Sequence, residues 1–450
     1  MHKISQKKDS MMNLCSYSTK SNEKLQALSQ TWEKEILPHL PQNLEFLAQS
    51  SGILQRKRGI FSAIQLLKVF FLYAVSGLSF RMLAAAAFGL GISNISDTAW
   101  RKKFRKAVPF LQEILQAMLS CLFSSVPIPS KERQVLLIDG SLIRQQGQQQ
   151  YQQRIHTCYS LNQNRIQQVR ISDYHVAESF CMFSFQKEDI VLADAGYGKA
   201  RNYAYAMEQG CDVILRISPN HISFVDAVGE KIDIYARLKE AKKKKEKTLE
   251  LFGFCVYEKK RYPVRLIAQE LPNEQAEQAR KRKKKKAQKN QSNLKEETLF
   301  YGNYVIVITS LGVEYDREEI LSIYRSRWQI ELLFKRFKQN LKITTLQQGS
   351  EAYAEAMVLL WMMIWLITEK QVFLSEQFLK QKEEQEKQAY SCWEVCRVAF
   401  CQIKEILCMS WSLFVDLKKE AFSRYFSPQK RHRINQNQAF HTDVLPGLFV

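Results

Sequence analysis

The chain has 450 residues and carries 66 Lys and Arg against 45 Asp and Glu, a formal charge of +21. A surplus of this size favours a polyanionic partner, nucleic acid before an anionic membrane surface, with binding that weakens steeply as salt rises. The length allows two or three units with a sizeable core. Ten cysteines without paired zinc-type spacing read as reduced thiols and exclude a disulfide-stapled secreted scaffold.

Residues 1–24 read as a flexible N-terminus without a cleavable signal, so the protein is expected in the cytoplasm. Residues 25–130 are helical in pattern. Within them Leu78–Ala87, a break at Gly89 and Gly91, and Ser96–Lys106 predict a helix-turn-helix, with Ser96 as an N-cap. The second helix carries Arg101, Lys102, Lys103, Arg105 and Lys106, cations suited to the phosphates along a major groove. An ordinary exposed basic helix has the same pattern.

Two short apolar runs then lead into acids. Val135–Ile138 precedes Asp139 and Gly140; Ile190–Ala193 precedes Asp194, Ala195, Gly196 and Tyr197. Both predict buried strands ended by glycine, which sets each carboxylate at the rim of a sheet, where open α/β sheets hold ligands. An Asp that opens a turn reads the same way. Arg154–Leu161 and Ile166–Asp173, joined at Asn162-Gln163-Asn164, predict a three-strand meander with the first run. A helix near Lys199–Gln209 and a strand at Asp212–Ile217 follow. Gly196-Tyr197-Gly198-Lys199 lacks the upstream glycine and the following Ser or Thr of a phosphate loop, so no nucleotide cofactor is expected.

The interval from Asp194 to Glu331 is too long for a loop. Residues 221–302 predict a basic, β-rich insertion, with strands at Phe252–Tyr257 and Val264–Gln269 and with mobile lysine-rich arms at Lys242–Lys247 and Arg280–Lys289. Another strand is expected at Tyr304–Thr309. Next comes YRSRWQIELLFKRFK, from Tyr324 to Lys338. On one helix, Tyr324, Arg327, Glu331 and Lys338 fall within an arc of about 60°, flanked by Trp328 and Lys335. Ile323, Ile330, Leu333, Phe334, Phe337 and Leu341 form an adjoining face that packs on a core. A lone carboxylate among cations and aromatics suits a metal ion and a nucleic-acid phosphate; a plain i,i+4 pair of Glu331 with Lys335 is the alternative. With Asp139 and Asp194, Glu331 completes a set of hard oxygen ligands for Mg²⁺ or Mn²⁺. The apolar run Met357–Thr368 is too short to cross a bilayer and predicts a buried core helix, hence no membrane partner. Residues 371–450 read as a helical region, solvated at Gln381–Gln388, ending in a polar tail.

Asp139-Gly140-Ser141, Asp194-Ala195-Gly196-Tyr197 and the Y-x2-R-x3-E-x6-K spacing of Tyr324, Arg327, Glu331 and Lys338 resemble the IS4-type bacterial DDE transposases, from about Gly77 to about Leu366. The resemblance implies an α/β fold: a ribonuclease-H-like mixed sheet flanked by helices, with a catalytic core over 131–220 and 303–370 and a helical N-terminal domain. It implies that Asp139, Asp194 and Glu331 hold two divalent ions, Mg²⁺ or Mn²⁺. Tyr324, Arg327 and Lys338 then grip phosphates of a double-stranded DNA end, with Lys335 beside them and Trp328 stacking or wedging. The N-terminal helices read terminal inverted repeats, the insertion holds the end, and the C-terminal region (Cys392–Phe414) pairs two copies as a homodimer. The implied activity is cleavage at the ends of an insertion sequence and joining to target DNA. No Trp lies between Trp100 and Trp328, so a flipped base has only Phe300, Tyr301 or another aromatic to stack on in the insertion. A metal-dependent nuclease without strand transfer, or a non-catalytic transposase-derived DNA-binding protein, remains compatible with the same residues.

Overall fold

The computed structural model describes residues 30–55, 59–121, 133–145, 151–341, 345–346, 349–386 and 392–408. The expected flexible N-terminus and polar tail lie outside them. The chain divides into two compact units, one formed by residues up to Phe110 and from Gln402 onward, the other by Leu111–Cys401.

In the first unit, three helices start on serine: α1 (Ala63–Ser76), α2 (Phe80–Gly89) and α3 (Asp97–Arg105). Ser62, Ser79 and Ser96 each accept a hydrogen bond from the backbone N–H three residues on, at 3.1–3.3 Å, which satisfies one of the unpaired donors of each first turn. Gly89 stays inside α2. Gly91 alone turns the chain, at φ +69°, while the Ile92 N–H returns to the Ala87 carbonyl at 2.9 Å. The connection Leu90–Ser96 is longer than the three or four residues of a DNA-binding helix-turn-helix. The underside of α3 is aromatic: Trp100 and Phe104 are fully buried against Phe70, and Phe104 also meets Tyr73 and Phe80 edge-on. Burial of such rings fixes the helix and leaves its basic side outward.

The second unit is built on one sheet. Its strands are β1 (Val135–Gln145), β2 (Tyr151–Ser160), β3 (Arg165–Asp173), β4 (Ile190–Ala193), β5 (Asp212–Arg216), β6 (Phe224–Val225), β7 (Thr248–Tyr257), β8 (Lys260–Glu270), β9 (Tyr304–Thr309) and β10 (Thr345–Leu346). They run in the order β3-β2-β1-β4-β5-β9-β8-β7-β6, with β10 beside the far end of β1. β1, β2 and β3 form the expected antiparallel meander, and β1, β4 and β5 are parallel. Every residue of β4 is buried, as befits a central strand covered on both faces. The helix α4 (Ala200–Glu208) returns the chain from β4 to β5.

Two expectations are corrected here. Gly140 does not end β1: the strand runs on to Gln145 because β2 keeps pairing with it, Asp139 opposite Thr157 and Gly140 opposite His156. Asp139 therefore lies mid-strand, and it reaches a rim only on the side where β4 has ended. Nor are the basic stretches of 221–302 simply mobile arms on a separate β unit. β8 pairs with β9 from Arg265–Thr309 to Glu270–Tyr304, so its strands extend the core sheet. Arg280–Lys289 lies within the helix α5 (Asn273–Lys289), where Arg280 binds the Asn303 side chain and Lys283 donates to the Thr298 carbonyl at 2.8 Å. Tyr301 is buried and Phe300 packs edge-on to Tyr235, so neither ring stands free for a base; Phe252 on β7 is exposed.

The segment from Tyr324 to Lys338 is two helices, α6 (Arg317–Arg325) and α7 (Trp328–Asn340). At the joint the Arg327 N–H bonds to Tyr324 and the Ile330 N–H to Arg327, three residues back rather than four, so the backbone tightens without leaving the helical region. Ile330, Leu333, Phe334 and Phe337 are buried as expected, Phe337 edge-on to Trp365 at 5.7 Å. Trp365 belongs to α8 (Glu351–Glu386), which packs on β2 and β3 and runs unbroken through residue 370. Its stretch Glu351–Ser375 is long and apolar enough to cross a bilayer, longer than the run read from sequence, but 72% of that apolar window is buried inside the protein. Burial makes it a core helix where length alone does not. A last described helix, α9, spans Cys392–Cys408; the remainder of the segment expected to pair two copies lies outside the described residues.

Candidate active site

The sheet brings two of the three predicted acids together. Parallel pairing of Ile138 with Ala193 places the next residues, Asp139 and Asp194, side by side at the end of β4. Each is aimed by its own backbone: Asp139 Oδ1 accepts from the Gly140 N–H and Asp194 Oδ1 from the Gly196 N–H, both at 2.8 Å. The Asp139 carboxyl is pushed up to about 7, first by burial and then by the charge of Asp194, against the opposing pull of the Gly140 N–H and of Arg327. Two carboxylates forced together in this way form a site short of positive charge. Their donor set, hard oxygens on a strand and on the turn that ends its neighbour, fits Mg²⁺ or Mn²⁺.

Glu331 is placed differently. It lies in the first turn of α7 and is held by Arg327, whose guanidinium donates to Glu331 Oε1 at 2.5 Å. Among the described residues no group of three or more His, Cys, Asp or Glu side chains is arranged to hold a metal ion. Arg327 is the link between the acids: paired with Glu331 on one side, it acts on Asp139 on the other. Burial opposes its charge, and Tyr324 and Glu331 more than offset that. Tyr324 is itself buried, with the Arg327 guanidinium 5.8 Å from its ring centre.

The other predicted contacts separate by environment. Trp328 is 56% exposed at the start of α7. Together with Tyr324, Arg325 and Arg327 it lines an open groove of about 940 Å³, whose lining also includes Lys247 and Pro272. Lys338 instead donates to the Leu142 carbonyl of β1 at 3.0 Å, and Lys335 lies 5.7 Å from the Trp393 ring. On α3, Lys102 and Arg105 are exposed, Arg101 leans over Phe80 at 5.6 Å, and Lys103 turns back to the Ile53 carbonyl at 3.2 Å.

Sequence reasoning missed Glu178. It sits in the segment between β3 and β4, paired with Arg154 of β2 at 3.6 Å, and its charge acts on both Asp139 and Asp194. No motif surrounds it; only the fold delivers it to the acids.

A ribonuclease-H-like sheet with paired aspartates on neighbouring parallel strands, faced by an Arg–Glu helix, defines a class of phosphoryl-transfer enzymes that act on nucleic acid. The family model described as "Transposase DDE domain" matches residues 130–367. Two Escherichia coli K12 proteins named as transposase InsL, for the insertion sequence elements IS186A and IS186B, are 29% identical to it over 331 residues, covering 72% of this chain and 89% of theirs. The transposase for insertion sequence element IS421 of Escherichia coli is 29% identical over 332 residues with the same coverage. The chain belongs to the DDE transposases, enzymes of DNA strand cleavage and transfer, a family that works with divalent metal ions.

Proposed function

We propose that this transposase binds the terminal inverted repeats of an insertion sequence, cuts the DNA at the element ends and joins them to target DNA, with Asp139, Asp194 and Glu331 as ligands of two Mg²⁺ or Mn²⁺ ions. The observation that carries the reading is the pairing of Asp139 with Asp194 beside the Arg327–Glu331 couple. When bound, the ions supply charge to the phosphoryl oxygens and a more acidic water. The protein's own part is positioning and charge. Arg327 exchanges Glu331 for a phosphate of the DNA end, which frees that carboxylate for the cations. Tyr324 buttresses the guanidinium, and Trp328 stacks on or wedges against the end in the groove. Lys338 and Lys335 add charge along α7 for the flanking backbone, and Arg101, Lys102, Lys103 and Arg105 on α3 meet phosphates of the repeat. Two copies, paired through the C-terminal region, bring two ends together; no membrane and no nucleotide cofactor enters, and the work is done on DNA in the cytoplasm.

Domain roles follow the same proposal: residues 25–130 recognise DNA, 131–220 with 303–370 catalyse, 221–302 hold the end, and 371–450 assemble the complex. Arg327→Ala is expected to weaken binding of an element end by about tenfold or more, the value of a hydrogen bond to a charged group, and to flatten its salt dependence by about one phosphate contact. Gel-shift titrations at several salt concentrations measure both, and wild-type affinity and slope remove Arg327 from the interface. The reading as a whole is tested by Mg²⁺- or Mn²⁺-dependent cleavage and joining of DNA carrying the element's own ends, for wild type and Glu331→Ala. Loss of cleavage with DNA binding retained supports it. Equal cleavage by the variant rejects Glu331, and cleavage without joining by wild type rejects strand transfer.

A further inference from the structure

We propose that Glu178 closes in as a further ligand when Asp139 and Asp194 bind their divalent cation. The three carboxylates are neighbours, but among the described residues they are not by themselves drawn into a metal-holding group. The inference rests on the metal-binding reading of those two aspartates and adds a residue outside the Asp-Asp-Glu triad.

The two glycines of the acidic motifs show where Glu178 points. A methyl group on Gly196 would lie 2.2 Å from Glu178 Oε2 and 3.0 Å from Asp194 Oδ1, so both oxygens converge on the same small space. A methyl on Gly140 would lie 3.1 Å from Glu178 Oε1. Glycine at both places leaves room for a third carboxylate between β1 and the turn after β4.

A second observation comes from Tyr197. Its ring is fully buried, its hydroxyl has no hydrogen-bond partner, and Glu178, Asp139 and Asp194 all act on it electrostatically. A buried hydroxyl left unpaired is costly. The charged surroundings of Tyr197 are these three carboxylates and Arg154, the polar region that the proposal assigns to the cation.

Glu178 is also held in place. The Phe180 N–H donates to Asn202 Oδ1 at 3.0 Å, and Asn202 Nδ2 donates to the Tyr197 carbonyl at 2.8 Å. Buried Asn202 thus ties the Glu178 segment to the Asp194 turn. Phe180 stacks on Tyr197 with ring centres 5.5 Å apart. Among the described residues the cation paired with Glu178 is Arg154, at 3.6 Å, beyond hydrogen-bond reach and with its Nε unpaired, while Lys199 acts on Glu178 without forming an ion pair. A side chain kept solely for that ion pair would be expected to close it.

The test is Mn²⁺ binding to the full-length protein without DNA, followed by the electron paramagnetic resonance of free Mn²⁺. Glu178→Gln is expected to weaken Mn²⁺ binding by about tenfold or more, with an unchanged circular dichroism spectrum. Arg154→Gln is expected to bind as wild type or more tightly. Wild-type affinity in Glu178→Gln, alongside weak binding in Asp194→Asn, overturns the assignment of Glu178 and leaves the aspartates in place. Wild-type affinity in Asp194→Asn removes the underlying reading as well. Equal weakening by Glu178→Gln and Arg154→Gln makes the pair a scaffold and also overturns the proposal. If Glu178→Gln fails to fold, Glu178→Asp, one methylene shorter, is judged by the same comparison.

Discussion

Asp139→Asn is expected to lower DNA cleavage by roughly a thousandfold or more and, in metal-free protein at pH 8, to raise the melting temperature. The two effects share one cause. The Asp139 carboxyl is shifted up to about 7 by burial and by Asp194, whereas in the unfolded chain it returns to its ordinary value near 4. Between those two values the folded state keeps a proton that the unfolded state has lost. Stability of the metal-free protein therefore falls as pH rises through this window and levels off above it. Asparagine stands in for the protonated form at every pH and lifts that cost, on the order of a few kcal/mol at pH 8, or several degrees in melting temperature. Near pH 4 the gain should vanish. Thermal unfolding in EDTA at the two pH values reads it directly, and a variant that melts below wild type at pH 8 contradicts it. Added Mg²⁺ should stabilise the wild type and leave Asp139→Asn unmoved, since a ligand stabilises only the state it binds.

Gly198→Ala is expected to destabilise the protein by about 1–3 kcal/mol and to lower cleavage by about a hundredfold. A Cβ there would lie 2.4 Å from the Arg216 carbonyl oxygen, 3.2 Å from Ile217 Cα and 3.3 Å from the Ala195 carbonyl oxygen. All three are backbone atoms, so no rotamer change relieves the clash. Retreat on the β5 side is blocked because the Ile217 N–H is bonded to the Ile306 carbonyl of β9 at 2.9 Å. The turn must give instead. It is closed by bonds from the Tyr197 N–H to Asp194 and from the Gly198 N–H to Ala195, and opening it moves the Asp194 carboxylate. Thermal unfolding together with a cleavage assay measures the pair of effects. A variant with the wild-type melting temperature would show that the turn relaxes freely.

Much of this arrangement was legible in the sequence because the physics behind it is local. Val135–Ile138 and Ile190–Ala193 read as buried strands, Ser96 reads as an N-cap, and a helix followed by a strand is expected after Asp194. What escaped depended on partners far along the chain. Gly140 looked like a terminator, and only the continued ladder to His156 and Ile155 carries β1 past it. The joint at Ser326 and Arg327 contains neither Gly nor Pro, so periodicity drew one helix where the backbone makes two. Lysine composition suggested loose arms, yet Arg280 and Lys283 find polar partners and sit on a helix. The spaced residues Tyr324, Arg327 and Glu331 marked a local cluster, whereas Glu178 has no signature and reaches the aspartates only through the fold.

The placement of β9 has a consequence for how the protein is made. β5 bears Arg216 and lies next to the Asp194 strand, but its outer edge is covered by β9, which emerges from the ribosome about ninety residues later. At ordinary rates of synthesis that edge waits roughly 5–20 s for its neighbour. During the delay a hydrophobic strand with unpaired amides is available to any other nascent chain. Truncated products ending before Tyr304 are therefore expected to aggregate more readily than the full chain.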